Sequence, residues 1–143
     1  MASKEKLQTA FMNTAKEFAK LSQAKRLKVG GVMVRNNRIV CCAYNGTPSG
    51  FDNNCEDEIN GELVTKREVI HCESNLLLAA GIEGIKTKGS TIYLTHSPCF
   101  ACSLLIIQSG IVEVYYGQEY RVTNSLKFLE DCGVKTFKIE KEL

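Results

Sequence analysis

The chain has 143 residues, of which 44% are hydrophobic and 24% charged, ordinary values for a soluble globular protein. This length predicts one domain, residues 1–143, with a hydrophobic core of its own. A formal net charge of +2 is too small to indicate nucleic acid or a membrane surface as a partner, and no apolar run reaches membrane-spanning length.

The first part of the chain predicts a helix, a pair of strands and a long polar loop. Residues 4–21 place apolar side chains at steps of three and four, the period of an amphipathic helix. Strands follow over residues 29–35 and 38–44, joined at Asn36-Asn37, where asparagine tolerates the positive φ of a tight turn. Residues 45–65 are rich in Gly, Asn, Asp and Glu and indicate an irregular loop, usually functional or mobile at this length.

The rest of the chain alternates helices with short strands. Helices are predicted over residues 71–81, 99–109 and 124–132, and strands over residues 91–95, 112–116 and 134–139. Gly81, Gly110 and Gly133 are the predicted helix stops, because glycine adopts the left-handed conformation common there. The alternation predicts an α/β fold with three α/β/α layers, in which helices cover both faces of a mixed five-stranded sheet.

Two segments have the spacing of a metal site, His71-Cys72-Glu73 and Pro98-Cys99-Phe100-Ala101-Cys102. Cys99 and Cys102 lie on one face of a first helical turn, whose positive end favours thiolates. With His71 they form a three-ligand Zn²⁺ set, which leaves the fourth position open to a water of lowered pKa. Glu73 does not share the helical direction of His71, so we predict that it exchanges protons with that water.

The cysteine pair has two other interpretations, a redox pair and half of a structural zinc ribbon. A ribbon requires a second Cys-x-x-Cys, which the chain lacks, and a redox pair leaves the His-x-Glu segment unexplained. Cys72 points about 100° around the helix from His71 and is predicted to pack beside the pocket. His96 is predicted to end a strand near the site rather than to bind metal.

The seven cysteines indicate a reducing compartment. Because the N-terminus lacks an apolar signal core, we expect a cytoplasmic protein, in the host cytoplasm if the source is a virus. Disulfides are the alternative for the cysteines outside the two metal-site segments, and we expect free thiols instead at Cys41, Cys42, Cys55 and Cys132.

With these motifs the chain resembles the cytidine/deoxycytidylate deaminase superfamily along nearly its whole length, and most closely its deoxycytidylate (dCMP) deaminases. The zinc segments alone also fit tRNA adenosine, guanine and riboflavin-pathway deaminases, and the Asn-Gly-x-Pro-x-Gly loop favours dCMP. The segments that carry the narrower resemblance are Val29-Gly30-Gly31, Tyr44-Asn45-Gly46-Thr47-Pro48-Ser49-Gly50, His71-Cys72-Glu73-Ser74-Asn75, Thr95-His96-Ser97-Pro98-Cys99-Phe100-Ala101-Cys102, Tyr115-Tyr116 and Tyr120-Arg121.

The resemblance implies a cytidine deaminase-like fold and hydrolysis of dCMP to dUMP and ammonia, which supplies precursor for thymidylate. It implies that Asn45 holds the deoxyribose hydroxyl, that Tyr120 lines the pocket, and that the backbone of Cys72 and Ser97 contacts the cytosine edge. Donors near the end of the first helix are expected to bind the phosphate. The candidates are Ser22, Arg26 and Lys28, with Arg121 as a further choice.

The resemblance also implies a homohexamer that dCTP activates and dTTP inhibits, with Mg²⁺ on the triphosphate. The loop after Asn45 fits an effector site because its glycines let backbone N–H groups approach phosphates. A plain surface loop is the alternative. The implied effector residues are Gly46, Thr47, Ser49, Gly50, Asp52, Asn53 and Glu56. Ala24 and the single Cys55 depart from the cysteine pattern of some relatives, so a second, structural zinc is not expected.

Two competing functions are a deaminase of RNA or single-stranded DNA and a zinc-stabilised binding module. The first requires a basic channel with stacking aromatic side chains, whereas this chain has balanced charge and no tryptophan. The open coordination position and Glu73 argue against the second.

Overall fold

The protein, seen in a computed structural model, is built on a five-stranded mixed sheet, described for residues 2–120 and 124–139. Its elements are α1 (Lys4–Ala19), β1 (Gly30–Arg35), β2 (Arg38–Tyr44), β3 (Glu56–Ile59), β4 (Glu62–Thr65), α2 (Cys72–Ile82), β5 (Thr91–His96), α3 (Phe100–Gln108), β6 (Glu113–Gln118), α4 (Ser125–Asp131) and β7 (Lys135–Lys138). The strand order is β2-β1-β5-β6-β7. β1 is antiparallel to β2 and β5, while β6 is parallel to β5 and β7. The predicted mixed sheet is confirmed.

Helices cover both faces of this sheet. Successive side chains of a strand point to opposite faces, and β1 divides its side chains between two cores accordingly. Val32 and Val34 pack with Phe11 of α1 in one core. Met33 packs on the other side with Leu76 of α2, and α3 and α4 add Ile106 and Leu129 to the same core. The three-layer α/β/α arrangement is therefore confirmed.

Gly30 and Gly31 allow α1 and the start of α2 to approach β1 closely. A Cβ atom on Gly30 would collide with the backbone carbonyl oxygen of Ala15 in α1. A Cβ atom on Gly31 would lie 3.0 Å from the sulfur of Cys72, the first residue of α2. Gly30 thus allows the close approach of α1, and Gly31 allows that of α2.

The segment after β2 contains a second, two-stranded sheet, so the predicted irregular loop is wrong over residues 56–65. β3 and β4 pair in antiparallel fashion around Asn60-Gly61, whose φ angles are 53° and 81°. Positive φ at both positions is the signature of a tight hairpin turn. The Asn-Gly pair is the one sequence signal for this hairpin. The flanking strands are mostly polar, so they lack the alternation of apolar and polar residues that would support the prediction of strands.

The helix stops are partly as predicted. Gly110 and Gly133 have φ angles of 79° and 89° and follow α3 and α4. Gly81 is not a stop, because α2 continues to Ile82 and Gly84 carries the positive φ. Within the described residues no helix is both long and apolar enough to cross a bilayer.

Candidate active site

Two helix N-termini meet at the candidate site. His71 caps the N-terminus of α2, and Cys99 caps the N-terminus of α3 directly after β5. The Cys102 N–H donates a hydrogen bond to Cys99 Sγ at 3.4 Å, so the cysteine spacing closes the first turn of α3 around one sulfur. The positive ends of both helices favour negative charge at this point.

The side chains that the two segments supply form one compact cluster. The ligand atoms of His71, Glu73, Cys99 and Cys102 all lie within 4.8 Å of one another. His71 Nδ1 is 3.4 Å from Cys99 Sγ and 3.5 Å from Cys102 Sγ. A tetrahedral Zn²⁺, with Zn–N near 2.0 Å and Zn–S near 2.3 Å, places nitrogen and sulfur ligands about 3.5 Å apart. One imidazole and two thiols therefore fit Zn²⁺ in both chemistry and spacing.

The two thiols share their protons unequally. Hydrogen bonds from the Cys102 thiol and from His71 lower the pKa of Cys99 to about 4. The same hydrogen bond to Cys99, together with burial, raises the pKa of Cys102. The cluster thus favours negative charge on Cys99, and a divalent cation bound there would also favour the thiolate of Cys102.

Glu73 lies in the first turn of α2 and is 5% exposed. Burial raises the pKa of its carboxyl group, the main effect on this side chain. A carboxyl group with a raised pKa is suited to take up and return a proton near neutral pH. Because its oxygen lies within the cluster, Glu73 can reach a molecule held at the fourth position of a metal there.

Two further potential metal ligands that line the cavity, Cys72 and His96, have other hydrogen-bond partners. The buried Cys72 thiol donates to the Ala43 carbonyl oxygen at 3.4 Å, and burial raises its pKa. His96 Nδ1 lies 2.8 Å from Thr95 Oγ1, and the same hydroxyl accepts from the Gly30 N–H. Cys72 therefore packs beside the pocket, as predicted.

The cluster opens into a cavity that also receives several of the predicted substrate residues. They are Arg26, Asn45, Cys72, Ser97 and Tyr120. The Asn45 amide is fixed by two bonds, from the Val29 N–H to its Oδ1 and from its Nδ2 to the Leu27 carbonyl, both 2.9 Å. The next residue, Gly46, pairs with Ile70 through two backbone bonds, which ties the Asn-Gly loop to the residue before His71.

Of the predicted phosphate donors, the structure brings Arg26 to the cavity. Its Nη1 donates to Thr65 Oγ1 at 2.8 Å. Ser22 is a correction, because it is buried and its hydroxyl donates to the Asn45 carbonyl oxygen instead. Lys28 is another, because it lies in a separate depression beside Lys16. Arg121 lies outside the described residues.

The predicted effector residues divide between two places. A groove along the loop is lined by Gly46, Thr47, Ser49, Gly50 and Asn53. Asp52 does not line the groove, and its Oδ1 accepts a hydrogen bond from the Asn54 N–H at 2.9 Å. The assignment of Glu56 to the effector set is a correction, because this side chain lines the cavity of the metal-site cluster.

Sequence comparison identifies a family pattern over most of the chain. The cytidine and deoxycytidylate deaminase zinc-binding region matches residues 5–118. ComE operon protein 2 of Bacillus subtilis is 36% identical over 134 residues, which cover 91% of this chain and 69% of that protein. The deoxycytidylate deaminase of Saccharomyces cerevisiae is 36% identical over 132 residues, 87% of this chain. The chain spans 42% of the length of that yeast enzyme.

The fold is also similar to a solved structure. The crystal structure of the dCMP deaminase from cyanophage S-TIM5, in complex with dCMP and dUMP, superposes with a TM-score of 0.90 at 40% identity. The superposition covers 96% of this chain and all of that one. The similarity therefore extends over the sheet, its helices and the two segments that form the cluster.

Proposed function

Because the chain belongs to the cytidine and deoxycytidylate deaminase zinc-binding family, a family of zinc-dependent deaminases, we propose that it hydrolyses dCMP to dUMP and ammonia. The observation that carries this choice of substrate is the position of Arg26, whose guanidinium shares one cavity with the metal-site cluster. A cation that lines the cavity suits a monophosphate, and the metal-site cluster suits the amino-substituted base. The cyanophage enzyme in complex with dCMP and dUMP supports the same choice.

In the proposed reaction the chain supplies ligands, proton transfer and orientation. Zn²⁺ held by His71, Cys99 and Cys102 would lower the pKa of a water and polarise it for attack. Glu73 takes a proton from the attacking water and delivers it to N3 of cytosine. It then takes the proton of the new hydroxyl group at C4 and delivers it to the amino group, which leaves as ammonia while the C4 carbonyl forms. Its burial and its position within the cluster support one carboxyl group as the carrier of these protons.

The backbone at the two helix starts would hold the base. Cys72 is the first residue of α2, so its N–H is among those that the helix leaves without an internal partner. The Ser97 N–H donates to the Gln118 carbonyl oxygen at 2.8 Å, so we assign its own carbonyl to the cytosine edge. Tyr120 is fixed to this strand end, because its N–H donates to Ser97 Oγ at 3.1 Å.

Replacement of the phosphate-binding cation should affect the nucleotide more than the nucleoside. We expect Arg26→Gln to lower kcat/KM for dCMP about 10- to 100-fold, the usual effect of losing charge-assisted hydrogen bonds, with little change for deoxycytidine. The wild-type protein should prefer dCMP to both deoxycytidine and cytosine-containing oligonucleotides. Steady-state rates on the three substrates provide the measurement.

Lys25→Gln is the matched control, because Lys25 is an exposed neighbouring cation that does not line the cavity. It should behave as the wild type. An equal loss on dCMP and deoxycytidine in Arg26→Gln would refute the phosphate role, and a wild-type preference for oligonucleotides would refute the nucleotide-level function.

We further propose regulation by nucleoside triphosphates in a homohexamer. The loop groove has a volume of about 680 Å³, within the range of small-molecule sites. Asn45 and Cys55 line both this groove and the catalytic cavity, which gives a ligand in the groove a direct contact with the site. A triphosphate with Mg²⁺ would meet the backbone of Gly50, which lines the groove.

This regulation predicts opposite responses to two triphosphates. At dCMP concentrations below KM, we expect dCTP to raise the rate and dTTP to lower it, and Asn53→Ala, in the groove, to weaken both responses. Initial rates and light scattering on the same samples measure regulation and assembly. Hyperbolic kinetics with indifference to both triphosphates would overturn the regulatory proposal and leave the catalytic one intact.

A further inference from the structure

The Glu56 carboxylate is buried and only half satisfied. The side chain is 4% exposed, and its Oε2 accepts hydrogen bonds from the Lys25 N–H at 2.9 Å and the Arg26 N–H at 3.1 Å. Its Oε1 is the one buried side-chain oxygen or nitrogen in the described part of the chain without a hydrogen-bond partner. Native proteins rarely leave a buried acceptor unpaired, because its desolvation then goes uncompensated. Glu56 Oε1 is therefore a candidate to accept a hydrogen bond from a bound molecule.

The position of Glu56 limits what that donor can be. The side chain lines the catalytic cavity together with Arg26, Asn45 and Tyr120. A phosphate is excluded because it is an anion without a donor at neutral pH, and like charges repel. dCMP offers two kinds of donor, the amino group of the base and the 3′-hydroxyl of the sugar. The amino group must lie at the metal-site cluster to react, which leaves the hydroxyl.

Building on the proposed function, we propose that Glu56 is a specificity-determining residue whose Oε1 accepts a hydrogen bond from the 3′-hydroxyl of the nucleotide. The Asn45 amide, to which the family resemblance assigns this hydroxyl, already bonds the Val29 N–H and the Leu27 carbonyl oxygen. Its second oxygen holds the backbone of the residue that carries the phosphate-binding guanidinium. One carboxylate thus sets the spacing between the sugar and phosphate subsites. A cytidine within a polynucleotide carries a 3′-phosphodiester, which has no donor and would meet this carboxylate with like charge.

The test compares dCMP with 2′,3′-dideoxycytidine monophosphate, which lacks only the 3′-hydroxyl. A site that leaves a buried acceptor unpaired rejects such an analogue, so we expect the wild type to prefer dCMP by a factor on the order of 10² in kcat/KM. Glu56→Gln keeps an oxygen for the Lys25 and Arg26 N–H groups but presents an amide to the hydroxyl. It should raise KM for dCMP and reduce the preference at least about tenfold, with little change for the dideoxy compound.

Glu58→Gln is the matched control, because Glu58 is an exposed carboxylate on the same strand, and it should keep the wild-type preference. A wild type that turns over both compounds equally would overturn the inference without any variant. Glu56→Gln with an undiminished preference and a normal melting temperature would overturn it too. In either case, turnover of dCMP by the wild type leaves the proposed function standing. A wild type that is inactive on dCMP would overturn the proposed function and the role of Glu56 together.

Discussion

Glu73→Gln is expected to lower kcat for dCMP by about 10²- to 10⁴-fold, the usual contribution of a general acid–base group. Glutamine preserves the size of the side chain but neither takes up nor returns a proton, so both proposed proton transfers, to N3 and to the amino group, lose their carrier. Because burial raises the pKa of Glu73, the fold accommodates a neutral side chain at this position. Turnover is measured as the loss of ultraviolet absorbance at the cytosine band. Zinc content and melting temperature are measured on the same preparation.

The zinc content of Glu73→Gln should equal that of the wild type, because the three proposed ligands are untouched. Glu83→Gln is the matched control: Glu83 is an exposed glutamate at the other end of α2 and should keep full activity. Turnover near the wild-type level in Glu73→Gln would refute the role of this carboxyl group.

Cys102→Ala is expected to abolish both zinc binding and turnover. The variant retains one imidazole and one thiol of the proposed set, fewer protein ligands than the three typical of a catalytic zinc site. Wild-type protein should contain about one zinc per chain, lose activity on chelation and regain it when Zn²⁺ is restored. Cys102→Ala should contain little zinc and should not recover, as elemental analysis and dCMP turnover will measure.

Cys132→Ala provides the matched control, because Cys132 is an exposed thiol at the end of α4. Its zinc content and activity should match the wild type. If Cys102→Ala instead retains one zinc per chain and full activity, the ligand set proposed for this cluster is wrong.

The metal-site cluster was predictable from sequence because its geometry is mostly local. Cys99 and Cys102 lie three residues apart at the start of one helix, and His71 and Glu73 lie two residues apart at the start of another. Each pair therefore fixes part of the arrangement within one helical turn. The structure adds that the two turns meet, with His71 Nδ1 within 3.5 Å of both sulfurs. The sheet was predictable for a similar reason, because buried strands and helices keep their periods in the sequence.

The polar contacts of the long loop were not predictable in the same way. The backbone after α1 is held by the Lys25 and Arg26 N–H groups, which donate to Glu56 Oε2 from 31 and 30 residues away along the chain. Arg26 lines the cavity, whereas the Ser22 hydroxyl donates to the Asn45 carbonyl oxygen. A polar hairpin carries no hydrophobic period that would reveal such a partner.

The most direct test of the account is a crystal structure of Glu73→Gln with Zn²⁺ and dCMP. The account predicts zinc bound by His71 Nδ1 and the sulfurs of Cys99 and Cys102, with the cytosine amino group beside it and the phosphate at Arg26. A zinc with a fourth protein ligand, or a nucleotide whose base lies away from the cluster, would contradict it.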